Sequence, residues 1–246
     1  MPELITTSLK SDASIKGYWP LNDSLLDSSG GGFTMTNVNS ASFGNGRFGR
    51  CIDFGTANSN QNLKNTAFAT FGTSDPCTIG CWVKINTQPA TDTQYFLLDS
   101  QIGNGTANKQ MRLIYEDSGG TKRFLARVYT NAYGDATYNF TLQTGQWYFV
   151  CFYYNGTTGS TLYLNGASVA TGTIVSATSA SADKDFWIGC SAASTGFASA
   201  AIDDAFSFSR QLTTTEMLFL YSTGTNLNNY NFVRADSGIS VTEKIR

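Results

Sequence analysis

The chain reads as an all-β protein, with antiparallel strands and one short C-terminal helix, and three observations carry that reading. Thr, Ser and Asn supply 31, 25 and 19 of its 246 residues, and 24 Gly accompany only 4 Pro. In such a composition Thr and aromatic side chains fit a pleated surface while Gly and Asn take the turns. Short apolar or alternating runs recur between Gly, Asn, Asp and Ser clusters, the pattern of many short strands. A capping-box sequence leading into apolar residues stands near the C-terminus, and it predicts the helix. β-Sandwiches of about 200–250 residues are commonly one unit, so one core domain is expected.

Residues 1–14 read as a leader segment, in which Asp12 or Ser14 can cap a brief helical turn ahead of Gly17-Tyr18-Trp19-Pro20-Leu21. Asp27-Ser28-Ser29-Gly30-Gly31-Gly32 is a turn cluster, Phe33–Val38 alternates, and Asn45-Gly46 is a hairpin signal before the strand Arg50–Phe54. Strands are expected near 77–84, 94–102, 109–115, 122–130 and 146–155. Tyr148–Tyr154 is apolar without alternation, which predicts a central strand covered on both faces. Thr161–Ala170 is a hairpin around Asn165-Gly166, and strands return at 185–190 and 202–208. The helix is placed at Leu212–Tyr221, stopping near Gly224. The domain is therefore drawn at 15–224, and residues 225–246 form a tail that is either disordered or an arm docking on a partner.

Sixteen Lys and Arg against 18 Asp and Glu leave a net charge of −2, so nucleic acid, whose binding rests on neutralised phosphates, is not an expected partner. No stretch approaches the ~20 apolar residues of a membrane-spanning helix, and residues 1–10 lack the basic and apolar regions of an export signal. There is no His, which removes imidazole bases and Ser-His-Asp triads. The five cysteines, Cys51, Cys77, Cys81, Cys151 and Cys190, lack zinc-site spacing, and at least one must stay unpaired. Cys77 and Cys81 share one face of a strand about 13 Å apart, so they read as small core hydrophobes in a chain folded in a reducing cytoplasm.

Three stretches then resemble a known family: Gly17–Asn22, Leu25–Gly30 and Gly46–Phe54 are similar to the entry of laminin G-like domains of the concanavalin A-like lectin/glucanase superfamily. Thr78–Lys84 looks like that family's Trp-Val-Lys strand, Gly145–Val150 like its Trp-centred strand and Leu162–Gly166 like its hairpin. Phe186–Gly189, Ala201–Arg210 and the helix resemble its close. The resemblance implies a concanavalin A-like jelly roll of two antiparallel sheets. Met1–Trp19 further resembles the opening of single-domain proteins encoded by tailed bacteriophages, which implies synthesis in a host cytoplasm and display on a virion surface, or otherwise an extracellular location.

Glucanases of the superfamily use paired carboxylates in an E-x-D-x-E strand. This chain has only Glu3, Glu116, Glu216 and Glu243 and lacks the motif, so glycoside hydrolysis, which needs an acid and a nucleophile or base, is not expected. By the same resemblance, an aspartate before the final long strand holds a structural calcium. That role falls on Asp203, with carbonyls near Pro20 and Gly46 as partners, while a plain turn or surface pair, Asp203-Asp204, stays open. Sugars are held by aromatic faces and neutral hydrogen-bonding groups. Tyr129, Tyr133 and Tyr138, in the Tyr/Asn-rich segment 128–139, combine these in an expected strand end and loop, with Arg127 adding a charged contact. The expected function is a non-catalytic virion-surface or adhesion protein that contacts glycan or cell-surface polysaccharide. Its tail would contact other virion proteins or further copies. The alternatives are a free carbohydrate-binding lectin module and, third, a glycan-active enzyme.

Overall fold

The computed structural model describes residues 5–7, 9, 12–56, 59–68, 75–101, 110–129, 133–173, 185–223, 232–235 and 238–241. The first half of the chain forms β1 (Ile5–Thr7), β2 (Ile15–Trp19), β3 (Thr36–Val38), β4 (Ser42–Asn45), β5 (Arg50–Asp53), β6 (Asn62–Asn65), β7 (Cys77–Ile85), β8 (Gln94–Gln101) and β9 (Gln110–Ser118). The second half forms β10 (Thr121–Tyr129), β11 (Tyr133–Asn139), β12 (Trp147–Tyr154), β13 (Gly159–Leu164), β14 (Ala167–Thr173), β15 (Asp185–Ile188), β16 (Ala200–Phe208), helix α1 (Thr214–Thr223), β17 (Phe232–Ala235) and β18 (Gly238–Val241).

Two large antiparallel sheets face each other. One runs β11-β10-β9-β8-β15-β6-β3; the other runs β14-β13-β12-β7-β16-β5-β4, with β2 also paired to β16. β16 takes two neighbours on one side because of a bulge between Asp203 and Phe206. Its first residues pair with β5 and its last with β2. The core between the sheets holds Trp19, Phe54, Phe68, Val83, Leu97, Leu113, Phe124, Val150, Phe152 and Phe186. Each such side chain contributes roughly 1.5–3 kcal/mol by leaving water.

Strands β7, β12 and β16 are buried almost throughout, as the unalternating 148–154 run predicts, because both their faces are covered. On the outer side Trp82, Phe149, Cys151, Phe206 and Phe208 pack under Leu212, Met217, Phe219 and Leu220 of the helix segment. The predicted capping box is present: the Thr213 amide donates to Glu216 Oε2 (2.7 Å) and the Glu216 amide to Thr213 Oγ1 (3.2 Å). Arg210 ties this helix start to the beginning of the domain, donating from Nη2 to Glu216 Oε1 (2.7 Å) and to Asp12 Oδ2 (2.5 Å). Burial alone would raise the Glu216 and Asp12 pKa values. Hydrogen bonds from Arg210, with Thr213 or Ser14, outweigh it and hold both carboxyls below their ordinary range.

The leader and the tail do not remain separate flanking segments. β1 pairs with β17 and β17 with β18, giving a third, three-stranded sheet from both ends of the chain. Asp236-Ser237-Gly238, where Phe-Val-Arg-Ala gives way to Gly-Ile-Ser-Val, is a turn signal in the sequence, but the pairing of β17 with β1 joins residues too far apart for any local marker to announce. All five cysteines are buried with no disulfide between them, and Cys77 and Cys81 both face the core between the sheets.

Candidate functional site

The outer face of the seven-stranded sheet is built from cross-strand rows. Trp187, Asp99, Arg112, Arg127 and Asp135 stand opposite one another on β15, β8, β9, β10 and β11. A second row holds Phe96, Ile114, Leu125 and Thr137, and a third Gln94, Glu116, Arg123 and Asn139. Side chains alternate faces along a strand, so Phe96 and Asp99, three apart, share a face because a bulge lies between Phe96 and Leu98. The extra residue, Leu97, joins Leu98 in the core. Directly opposed pairs are near enough to interact, and three of them, Asp99–Arg112, Glu116–Arg123 and Arg127–Asp135, are oppositely charged.

A groove of about 950 Å³ opens on this face, lined among others by Gln94, Phe96, Glu116, Arg123, Arg127 and Gly196. One wall is the 191–197 loop. Ala192 donates its amide to buried Asp99 Oδ2 (3.0 Å), Ser191 Oγ and Thr195 Oγ1 lie 2.9 Å apart, and Phe96 donates its amide to the Gly196 carbonyl (2.9 Å). Gly196 has φ +63°, and a Cβ there would fall 2.3 Å from Phe96 Cδ2; only glycine lets the loop lie on that ring. The other wall is the 87–93 turn, where Gln88 is held by the Tyr115 hydroxyl (2.9 Å) and donates to the Leu142 carbonyl (2.6 Å).

The polar groups of the groove are oriented by one another. Glu116 accepts Arg123 Nε on Oε1 (2.6 Å) and Gln94 Nε2 on Oε2 (2.5 Å). Arg127 donates from Nε and Nη2 to the two oxygens of Asp135, each at 2.9 Å. Asp117 takes the Gly120 amide on Oδ1 (2.7 Å) and pairs with Lys122 through Oδ2; the Lys122 hydrogen bond, foremost, holds its carboxyl below the ordinary range. Fork-shaped, charge-assisted pairs of this kind fix geometry as well as contributing energy. Buried aromatic surface with a few positioned polar groups is the usual make-up of a ligand site.

Against this fold stands one family match: the Laminin_G_3 model, described as the concanavalin A-like lectin/glucanases superfamily, matches residues 55–217. The chain belongs to that family. No curated protein matches it in sequence. Among solved structures, domain 4 of AbnA, a GH43 extracellular arabinanase from Geobacillus stearothermophilus in complex with arabinotriose, is similar at TM-score 0.67 and 16% identity, covering 85% of this chain and 98% of that one. The binding domain of botulinum neurotoxin DC in complex with SialylT gives TM-score 0.65 at 14% identity, over 89% of this chain and 53% of that one. The binding domain of Paraclostridial Mosquitocidal Protein 1 gives 0.66 at 15%, over 87% and 53%. The chain thus spans about half the length of those toxin domains. At these identities the likeness establishes a concanavalin A-like sandwich, the jelly roll that the family resemblance implies.

Within this laminin G-like frame the expected ligand residues separate. Arg127 lines the groove. Tyr138 does not: it is half-buried, stacked on Phe140 at 6.0 Å and packed against the core. Its odd spacing from Asp135 puts it on the other face of β11. Tyr129 and Tyr133 pair across the β10–β11 hairpin, and their side chains lie outside the described residues. The expected strand end and loop is thus corrected to two paired strands, in keeping with the β-propensity of Tyr and Thr. Sequence reading missed Gln94, Phe96, Glu116 and Arg123. The two-residue Gly119-Gly120 turn sets Glu116 opposite Arg123, whereas the placing of Phe96 on the face of Asp99 could not be read without the bulge in β8.

Asp203 lies inside β16 rather than before it, and it and Asp204 are buried, not a surface pair. Asp203 Oδ2 accepts the Arg47 amide (2.8 Å) and the Phe48 amide (3.1 Å). Gly46 is required beside it, since a Cβ there would fall 2.6 Å from that oxygen and 2.5 Å from the Arg50 carbonyl oxygen. Asp203 Oδ1 is buried and has no hydrogen-bond partner among the described residues. Burial first, then the Asp204 carboxylate, push the Asp203 pKa up to about 7 against those amide bonds. An orphaned carboxylate oxygen suits a hard cation. Among the described residues, however, no cluster of three Asp, Glu or Cys surrounds it, so the remaining ligands would have to be carbonyls.

Proposed function

We propose that this laminin G-like domain is a non-catalytic saccharide-binding protein whose ligand lies in the groove on the outer face of the seven-stranded sheet. The observation that carries the reading is the groove's construction: Gln94, Glu116 and Arg123 hold one another on one side of the buried row Phe96, Ile114 and Leu125, and Arg127 and Asp135 hold each other on the other side. A preorganised polar rim loses little entropy on binding. The lectin-like jelly roll, and the neighbour solved with arabinotriose, support a glycan as the ligand class. The absence of His and of an E-x-D-x-E strand supports binding without turnover.

The setting we propose is the surface of a phage virion, where the domain contacts host polysaccharide while residues 225–246 contact other virion proteins or further copies. The resemblance of the opening sequence supports this setting; a free lectin module is the alternative. Asp203 Oδ1 is the atom through which a structural calcium would be held, and such an ion would neutralise a buried charge. An array of bacterial and algal polysaccharides tests the binding claim, with reproducible signal expected and none across the array contradicting it. Deletion of 225–246 tests the arm: an unchanged oligomeric state and unchanged copurification with virions would contradict it.

A further inference from the structure

The charges in the groove are layered. Arg123 is 31% exposed above Glu116 at 5%, and on the same face Arg112 is 14% exposed above Asp99 at 0%. Only Arg127 and Asp135 are nearly level, at 20% and 26%. In a chain of net charge −2, this face puts its cations outermost and its carboxylates beneath. Because Coulomb energy falls with distance, a ligand in the groove meets the guanidinium groups first.

Arg123 stands apart from the others. Its Nε is spent on Glu116, whose second oxygen is held by Gln94, so the plane of the guanidinium is fixed from below. Its two terminal nitrogens make no hydrogen bond to the described residues, and the side chain lines the groove. A planar fork with parallel N–H donors matches a carboxylate in two-point contact better than any single charge does. Glu116, with both oxygens engaged, offers a ligand no comparable acceptor.

We infer that the groove selects saccharides bearing a carboxylate, such as uronate- or ulosonate-containing chains, with Arg123 gripping the acid group. This rests on the groove being the saccharide site. The test is calorimetry on the full chain with matched probes: tetragalacturonate against its methyl ester, sialyllactose against lactose, and a sulfated dextran oligosaccharide against dextran. At least one acid form should bind 10-fold or more tightly than its neutral partner. Arg123→Gln should remove about 10- to 100-fold of that affinity, the scale of a charged hydrogen bond, and leave the neutral partner unaffected. Arg123→Lys should restore only part of it. Asn139→Asp, at an exposed position opposite Arg123, should weaken acid binding by offering an internal carboxylate, and keeps the inference testable if Arg123→Gln fails to fold. Equal binding of acid and neutral forms would overturn the inference while leaving the groove reading intact. Binding of the sulfated probe without either carboxylated one would overturn it as well, and binding of no saccharide at all would sink both.

Discussion

The outer faces of the two sheets begin from the same alternation and end differently. On the eight-stranded sheet the outward positions are Trp82, Phe149, Cys151, Phe206 and Phe208, and a helix covers them. On the seven-stranded sheet a small apolar row, Phe96, Ile114 and Leu125, lies between rows that carry Asp99, Arg112, Arg127 and Asp135 on one side and Glu116 and Arg123 on the other, and these charges pair around a groove. Apolar outward residues call for a lid; paired charges fix an open surface without one. The family's sandwich thus has one face devoted to stability and one available for binding.

The largest effect expected from breaking this comparison is under the lid. Phe149 packs on Trp82 at 5.6 Å and Phe206 at 6.0 Å, so Phe149→Ala should cost about 3–5 kcal/mol, read by denaturant unfolding. Arg210→Ala should cost less, about 2 kcal/mol, by leaving buried Glu216 without its cation. Both Glu216 and Asp12 have folded pKa values below their unfolded ones. Their stabilisation is therefore present above the ordinary carboxylate range and lost as pH falls through the depressed values. Arg210→Ala should flatten that acid limb in melting curves taken across pH 2–5, a range set by about 4 for unperturbed carboxyls.

Asp203 carries the opposite sign. Its folded pKa is raised to about 7, so its contribution is full below the unfolded pKa and is lost as pH rises through the folded one. The metal-free chain should melt lower at pH 8 than at pH 5, and Asp203→Asn should reduce the difference. Calcium held at Oδ1 would raise the melting temperature at pH 8 in the parent chain but not in Asp203→Asn; equal curves with and without chelator would remove the metal. The smallest stability effect belongs to the groove: Glu116 keeps the Gln94 amide and gains a neutral donor in place of Arg123, so Arg123→Gln should cost about 1 kcal/mol.

Much of the fold was legible because its signals are local. The capping box at Thr213–Glu216, the Asn165-Gly166 turn and the unalternating 148–154 run each announce their element from a few residues, and their order carries the resemblance. The site was legible only at Arg127. Tyr138 stands three residues from Asp135, and strand parity turns it toward the core. Phe96 and Asp99 reach one face only through a bulge, and Glu116 meets Gln94 and Arg123 through register between strands. The joining of the chain ends in β1, β17 and β18 is long-range in the same way.

The central claim, that the charged face binds saccharide and the helix-covered face does not, is tested most directly by placing one bulky residue on each face and repeating the polysaccharide array. Thr195, exposed on the groove wall, and Leu218, 50% exposed on the helix, are the positions. The account predicts that Thr195→Trp loses the glycan signal at an unchanged melting temperature while Leu218→Trp keeps it. Retention of the signal in Thr195→Trp, or its loss only in Leu218→Trp, would contradict the account.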